Sequence, residues 1–472
     1  MFDPVIAPSG TLLGLLQRGR GDGTLHALAA PRAEALAALN HCVLNDPRHD
    51  WQVENRSLYY ARLYLDLHGS LEEIERHLND VDDHLDTDEA RTGLALAVLG
   101  HLASYGRGDA LALLRRYAAS GANWAWALDE LALRDNDAGL RELAAPILAR
   151  FPATPEGDAE LASAVRDAFE PRPWRLWAED PRETIGARIR AARETGSFDR
   201  WQRQMRPSGP RPGWSVEAVF EWAQQGLERG SVLHVPAARC LSAVAGPEDR
   251  PAILEAALSG PEGARCAALH FLAESRDPVV LDLIEAAAST ASSTVAEAAV
   301  AAFERMCGEE AVDRARGWVH RPDALGASAA GVLACRGGAS DAALVLGALR
   351  ETVRADGPDA PLLNSLVDGA GRLGIACAAP VLRHVYRETA SSQLRGRAAR
   401  ALAATDASFA TGFAVECLWD CEETTREVAA LHAETGDVRV AERLRRLAAD
   451  PAEEAEVQTA VRSRIGPDMT AM

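Results

Sequence analysis

From about residue 236 onward, runs of alanine and leucine at helical spacing alternate with short polar breaks. The pattern can be followed through "ARCLSAVAGPEDRPAILEAAL", "ARCAALHFLAESRDPVVLDLI", "GASAAGVLACRGGASDAALVL", "RGRAARALAATDASFATGFAV" and "TREVAALHAETGDVRVAERL". The apolar residue before each break falls at Val244, Leu272, Met306, Leu333, Leu373, Leu402 and Leu431, a period of roughly 30 residues with one longer excursion near "ETVRADGPDAP". Each unit reads as helix, break, helix. Asp249 before Pro251, Asp277 before Pro278, Ser340 and Asp437 are predicted to accept hydrogen bonds from the first amides of the second helices. A helix pair this short cannot bury both faces alone, so it must stack on its neighbours. The fold class expected is therefore all-α, an α/α superhelix (α-solenoid) of stacked helical hairpins.

The N-terminal third carries the same pattern less regularly. "YYARLYLDLHGSLEEIERHL", "LAVLGHLASYGRGDALALLRRYA" and "WALDELALRDNDAGLRELAAPILARF" again read helix, turn, helix, with Gly69, Gly106 and Asp137 near the turns. Three regions follow. Residues 1–150 are an N-terminal helical-repeat array, 151–230 a bridge rich in Trp, Arg and Pro, and 231–472 a C-terminal array.

The C-terminal pattern resembles HEAT-type repeats over about half of the chain. The resemblance implies an α-solenoid and, because the family's pattern is loose, little about activity.

The bridge breaks the period and reverses the charge. Residues 171–213 hold ten arginines and five acids, a net of +5, within a chain of net charge −19. "DPRE" at 180–183 predicts a helix start, with Asp180 as cap and Glu183 reaching back, and Ile185, Ile189 and Ala192 on one face. Trp174, Arg175 and Trp177 form a cluster suited to an anion or an aromatic group, since guanidinium groups bond carboxylates and phosphates and stack on rings. Trp201 with Phe198 and Met205, and Trp222 with Val219 and Ala223, read as packing. Arg188 and Arg190 are candidate binding residues, with the acidic run "EEIERHLNDVDDHLDTDE" at 72–89 as an internal partner they could latch onto. That run lacks the glycine and terminal glutamate of a calcium loop, so no metal is assigned to it.

A second pair of tryptophans lies in "GANWAWALDEL" at 121–131. With Asn123 as the cap, Trp124, Leu128 and Leu131 share one buried stripe, whereas Trp126 lies with Asp129, Glu130 and Leu133 on another face. HEAT-like DNA glycosylases carry a tryptophan and an aspartate on one helix. This stretch is similar, with Asp129 three residues after Trp126 and five after Trp124. The resemblance implies ring stacking on a damaged nucleotide and carboxylate stabilisation of a cationic sugar. Trp126 and Asp129 are accordingly candidate binding residues.

Composition narrows the chemistry. The chain contains no lysine, which excludes lysine Schiff bases and a Walker-type phosphate loop. The acidic balance argues against broad wrapping of nucleic acid. HExxH, GxSxG and CxxC are absent, and the glycines of "GRGDG" near residue 20 follow no strand, so no catalytic residue, metal or cofactor is assigned. Cys417 and Cys421, four apart, read as buried thiols. The opening "MFDPVIAPSG" does not match a secretory signal, and no apolar run approaches the ~20 residues of a membrane span. A cytoplasmic, non-catalytic scaffold binding a protein or peptide partner is the expectation, with the glycosylase as its alternative.

Overall fold

The structure, a computed structural model, describes residues 5–48, 54–80, 89–204 and 213–465. All regular secondary structure among them is helical: twenty-eight α-helices and a few short 3₁₀ turns, with most helices packed on near neighbours in sequence. The chain is all-α, of the α-solenoid class that the patterning predicts.

The seven apolar marker residues fall where the period requires. Val244, Leu272 and Leu333 lie in the closing turns of helices His234–Val244, Glu262–Glu274 and Ala324–Arg336. Met306 and Leu373 sit just past the ends of Ser293–Arg305 and Leu363–Arg372, and Leu402 and Leu431 lie in the last turns of Ser392–Thr405 and Glu423–His432. The helix starts differ in detail. Asp437 caps its helix as predicted, accepting from the Arg439 amide at 2.8 Å, whereas Asp277 accepts at 3.1 Å from the amide of Val279, which precedes helix Val280–Ala288. At the other two breaks the acceptor binds backward instead: Asp249 takes the Gly246 amide, and Asp341, rather than Ser340, takes that of Gly338.

The chain divides into two compact units. One comprises 207–385 with 400–406. The other joins 1–206 to 386–399 and 407–472, so the units do not end at 150 and 230.

In the first of these units the Ala-rich helices Glu262–Glu274, Ser293–Arg305, Ala324–Arg336 and Leu363–Arg372 pack in succession. Glu262–Glu274 buries residues on most of its circumference, from Ala264 to Ala273, as a helix covered by neighbours on several sides must. Small residues permit close approach: a Cβ added at Gly369 would lie 2.6 Å from that of Ala334. Paired side chains tie successive hairpins together. Arg250 grips Asp277 at 2.6 and 3.0 Å, Arg316 grips Asp341 at 2.7 and 3.0 Å, and Arg383 bonds Asp406 at 2.7 Å. Hydrogen bonding to Arg250 and Arg316 holds the carboxyls of Asp277 and Asp341 below the usual aspartate range.

In the other unit, residues from the two ends of the chain meet. The Cys421 amide donates to the Gly19 carbonyl at 2.9 Å. Arg62 bonds Asp450 at 2.7 Å and Glu453 at 3.0 Å, and the Tyr105 hydroxyl donates to Asp450 at 2.8 Å. The fully buried Arg56 donates to the Ala390 carbonyl, and Arg395 holds Asp420 bidentately at 2.8 and 3.0 Å with both side chains out of solvent. The glycines of "GRGDG" belong to this contact. Gly19 has φ +68°, and a side chain at Gly21 would strike the Glu416 carbonyl, so the motif permits close backbone approach. Cys417 and Cys421 are buried here, within 3.1 Å of the Tyr386 hydroxyl and 3.2 Å of the Arg395 guanidinium respectively. Burial pushes the Cys421 thiol up to about 12, so it is not a nucleophile at neutral pH.

Candidate functional site

Helix Trp124–Arg134 buries Ala127, Leu128, Leu131 and Ala132, so Trp124, Trp126, Asp129, Glu130 and Leu133 are left half-buried or exposed. These residues form one wall of a cavity of about 520 Å³. The opposite wall comes from the end of helix Pro155–Asp167 (Ala164, Asp167), the connection after it (Ala168, Phe169, Glu170) and Trp174 of the short helix Arg172–Ala178.

The aromatic wall is built by edge-to-face packing. Trp124 meets Phe151 at 5.8 Å and Trp174 at 6.4 Å between ring centroids, and Trp174 meets Trp177 at 5.0 Å. Such pairs hold rings in place more firmly than area burial alone. The Arg150 guanidinium lies 5.5 Å from the centroid of the Trp124 ring. Trp126 is seated on the bare Cα of Gly93, where an added Cβ would stand 2.6 Å from the indole, and it hydrogen-bonds Glu130. Asn123 stands at the helix start without capping it; its amide instead donates to Thr92 at 2.6 Å.

Two carboxyls on the first wall titrate high. Burial, reinforced by nearby Glu170, pushes Asp129 up to about 6, although its Oδ1 accepts from the Glu170 amide at 3.0 Å. That bond ties the two walls together. Burial also pushes Glu130 up to about 7, against the pull of Arg134, whose guanidinium lies 2.7 Å away. At the lining's edge Leu133 is 60% and Phe169 84% exposed.

Of the residues singled out in the sequence, Trp126, Asp129 and Trp174 line this cavity. The cluster of Trp174, Arg175 and Trp177 is divided: both rings are buried, Trp177 donating to the Leu140 carbonyl at 2.7 Å, while Arg175 is exposed. Arg188 bonds Asp158 and the Pro152 carbonyl, and Arg190 bonds Glu183 and the Ala178 carbonyl. Glu183 thus faces Arg190 rather than reaching back, and Asp180 does not cap helix Glu183–Gln204: it accepts at 2.8 Å from the amide of Arg182, which precedes the helix. Residues 81–88 of the acidic run and Met205 lie outside the described residues, as do the side chains of Phe198 and Trp201. Trp124, assigned to a buried stripe by spacing, is half-buried and forms cavity wall. Leu133 lies on the cavity face with Trp126, as its spacing predicts, whereas Phe169 and Glu170 were not singled out; the signal for Phe169 was a large apolar residue in the proline-flanked connection "AFEPRP".

A second cavity, of about 720 Å³, lies in the other unit between helices Val216–Glu228 and Arg250–Ser259. Phe220 and four glutamates, Glu217, Glu221, Glu228 and Glu255, line it. No helix among the described residues is long and apolar enough to cross a membrane. No protein-family model, curated protein or solved structure matches the chain.

Proposed function

We propose that this protein is a non-catalytic scaffold built of HEAT-type repeats, acting in the cytoplasm, that binds a protein or peptide partner through the tryptophan-lined cavity. The observation that carries this reading is the cavity itself, in which three tryptophans from two helices stand beside an exposed phenylalanine and an exposed leucine. An aromatic recess with uncovered apolar residues at its edge is the surface type that anchors a partner's side chain. Its size suits one or two side chains, within the ~300–1,000 Å³ typical of ligand pockets.

Selection from a random peptide display library on the full chain tests this. A common motif is expected, and Phe169→Asp, which changes an exposed residue, should abolish its enrichment. Failure of any motif to emerge would refute the reading.

A second reading is favoured by one observation: Trp124, Trp126, Trp174 and Asp129 line one cavity, the residue types that the resemblance to HEAT-like DNA glycosylases implies. Against it stands the lining's charge, since four carboxyls and no arginine or histidine line the cavity, leaving no cation to meet a phosphate. Base release from alkylated duplex DNA, lost in Asp129→Asn, would establish the glycosylase and displace the scaffold.

A further inference from the structure

We infer that the side chain anchored in the tryptophan-lined cavity is cationic, an arginine or lysine of the partner peptide, with its aliphatic stem along the indoles and its charge toward Asp129 and Glu170. The inference rests on the peptide-binding reading and names the occupant.

The chemistry of the lining points to this class. Asp129, Glu130, Asp167 and Glu170 contribute four carboxyls, and no arginine or histidine lines the cavity. Two of the four are already neutralised: Glu130 by Arg134 at 2.7 Å and Asp167 by Arg166 at 2.8 Å. Asp129 and Glu170 have no arginine partner among the described residues, and the bond between them runs from the Glu170 amide to the Asp129 carboxylate. In a chain where arginine routinely pairs with acid, two adjacent unpaired carboxyls inside an aromatic recess leave a cation's place open. The walls favour the same charge, because the negative faces of Trp, Tyr and Phe rings attract a guanidinium or ammonium group. Trp124 already receives one such group, since Arg150 lies over its ring. The exposed Phe169 and Leu133 supply apolar contact for residues flanking the anchor, which a free small cation would not use.

The charged groups around Asp129 leave its carboxyl available. On its own helix Glu130 and Arg134 pair with each other. From the facing connection come Glu170, and Asp167 with its Arg166. On helix Arg172–Ala178, Arg172 is turned to Asp137 at 2.6 Å. On helix Glu89–Ser104, burial first and then Arg134 hold His101 down to about 4, so it is neutral. A bound cation therefore favours the ionised form of Asp129, and binding should release a proton where Asp129 is still protonated.

The test uses the full chain labelled with 5-fluorotryptophan, its resonances assigned through Trp124→Phe, Trp126→Phe and Trp174→Phe. Butylguanidinium chloride should shift the signals of Trp124, Trp126 and Trp174 saturably, and pentanol, its neutral counterpart, should bind at least tenfold more weakly. Asp129→Asn and Glu170→Gln should each weaken butylguanidinium about tenfold, and affinity should fall up to tenfold per unit as pH drops below 6. Asp129→Asn retains the acceptor for the Glu170 amide, and thermal unfolding of both carboxyl variants at pH 4 matching that of the wild type controls for folding. Equal binding of pentanol, or indifference to both carboxyl variants, would overturn the inference. Selected peptides anchored on a neutral or acidic residue would overturn the cationic anchor and leave peptide binding intact. Saturable butylguanidinium binding with no selected peptide would instead remove the peptide-binding reading and this inference with it.

Discussion

Replacing Asp129 with asparagine isolates the cost of placing a carboxylate among the cavity's rings. Burial raises this carboxyl from 3.8 to about 6, and each unit corresponds to about 1.36 kcal/mol. The full shift is therefore worth about 3 kcal/mol, reduced to about 1–2 kcal/mol because the group is partly open to water. The sign follows from linkage. A carboxyl raised in the folded state binds its proton more tightly there, so its stabilising contribution is complete below pH 4 and lost as pH rises through 6. Asparagine is uncharged throughout and keeps the bond from the Glu170 amide. At pH 4 the two proteins should be equally stable, and by pH 7 the variant should be more stable by about 1–2 kcal/mol. Hydrogen exchange of the amides of Ala127–Leu131, corrected for intrinsic rates, reads this locally, as roughly 5- to 30-fold greater protection in the variant. A gap that is constant with pH, or one that favours the wild type at neutral pH, would refute the assignment of a strained carboxylate.

Three further expectations concern the framework. Arg395→Met should destabilise by about 3–5 kcal/mol by stranding the buried Asp420, and Asp420→Leu in the same chain should recover much of the loss; thermal unfolding of the single and double variants decides it, and an equal or larger loss in the double variant would refute it. His270 is 1% exposed, neither ring nitrogen has a hydrogen-bond partner among the described residues, and it stacks on His234 at 4.8 Å. Burial holds it down to about 4, so its stability contribution is whole above pH 6.5 and about 3 kcal/mol is lost as pH falls from 6.5 to 4. His270→Phe should flatten that acid slope, which urea titrations at pH 4, 5.5 and 7 would show; an unchanged slope counts against the assignment. Gly93→Val should displace the Trp126 indole and cost about 1–3 kcal/mol, seen in the fluorine signal of Trp126 and in thermal unfolding, whereas an unmoved signal would mean that the ring rests elsewhere.

The repeat was legible because it is local. Seven apolar residues, spaced by the period except for one longer interval, mark helix ends in the structure, since a hairpin's register depends on its own hydrophobic stripe. The stripe of Leu128 and Leu131 was equally legible. The seat of Trp126 was not, because Gly93 matters only once two helices cross at that point, and a lone glycine in "EARTGLALAV" gives no sign of it. Asn123 does not cap its helix, and its side-chain amide instead donates to Thr92, 31 residues earlier. The cluster of Trp174, Arg175 and Trp177 shows the opposite lapse. Helical spacing alone separates positions 174 and 177 from 175, and the structure buries the first two while exposing the third. The cavity depended on bringing Phe169 and Glu170 opposite Asp129, a placement set by the turn after helix Pro155–Asp167 rather than by any periodicity.

The contact between Arg62 and Asp450, 388 residues apart in the chain, bears on how the molecule is made. At ~5–20 residues per second a ribosome delivers the second partner roughly 20–80 s after the first. Until then the early helices wait with one flank uncovered, while the 207–385 segment emerges and can fold. The portion synthesised first is thus among the last to be completed.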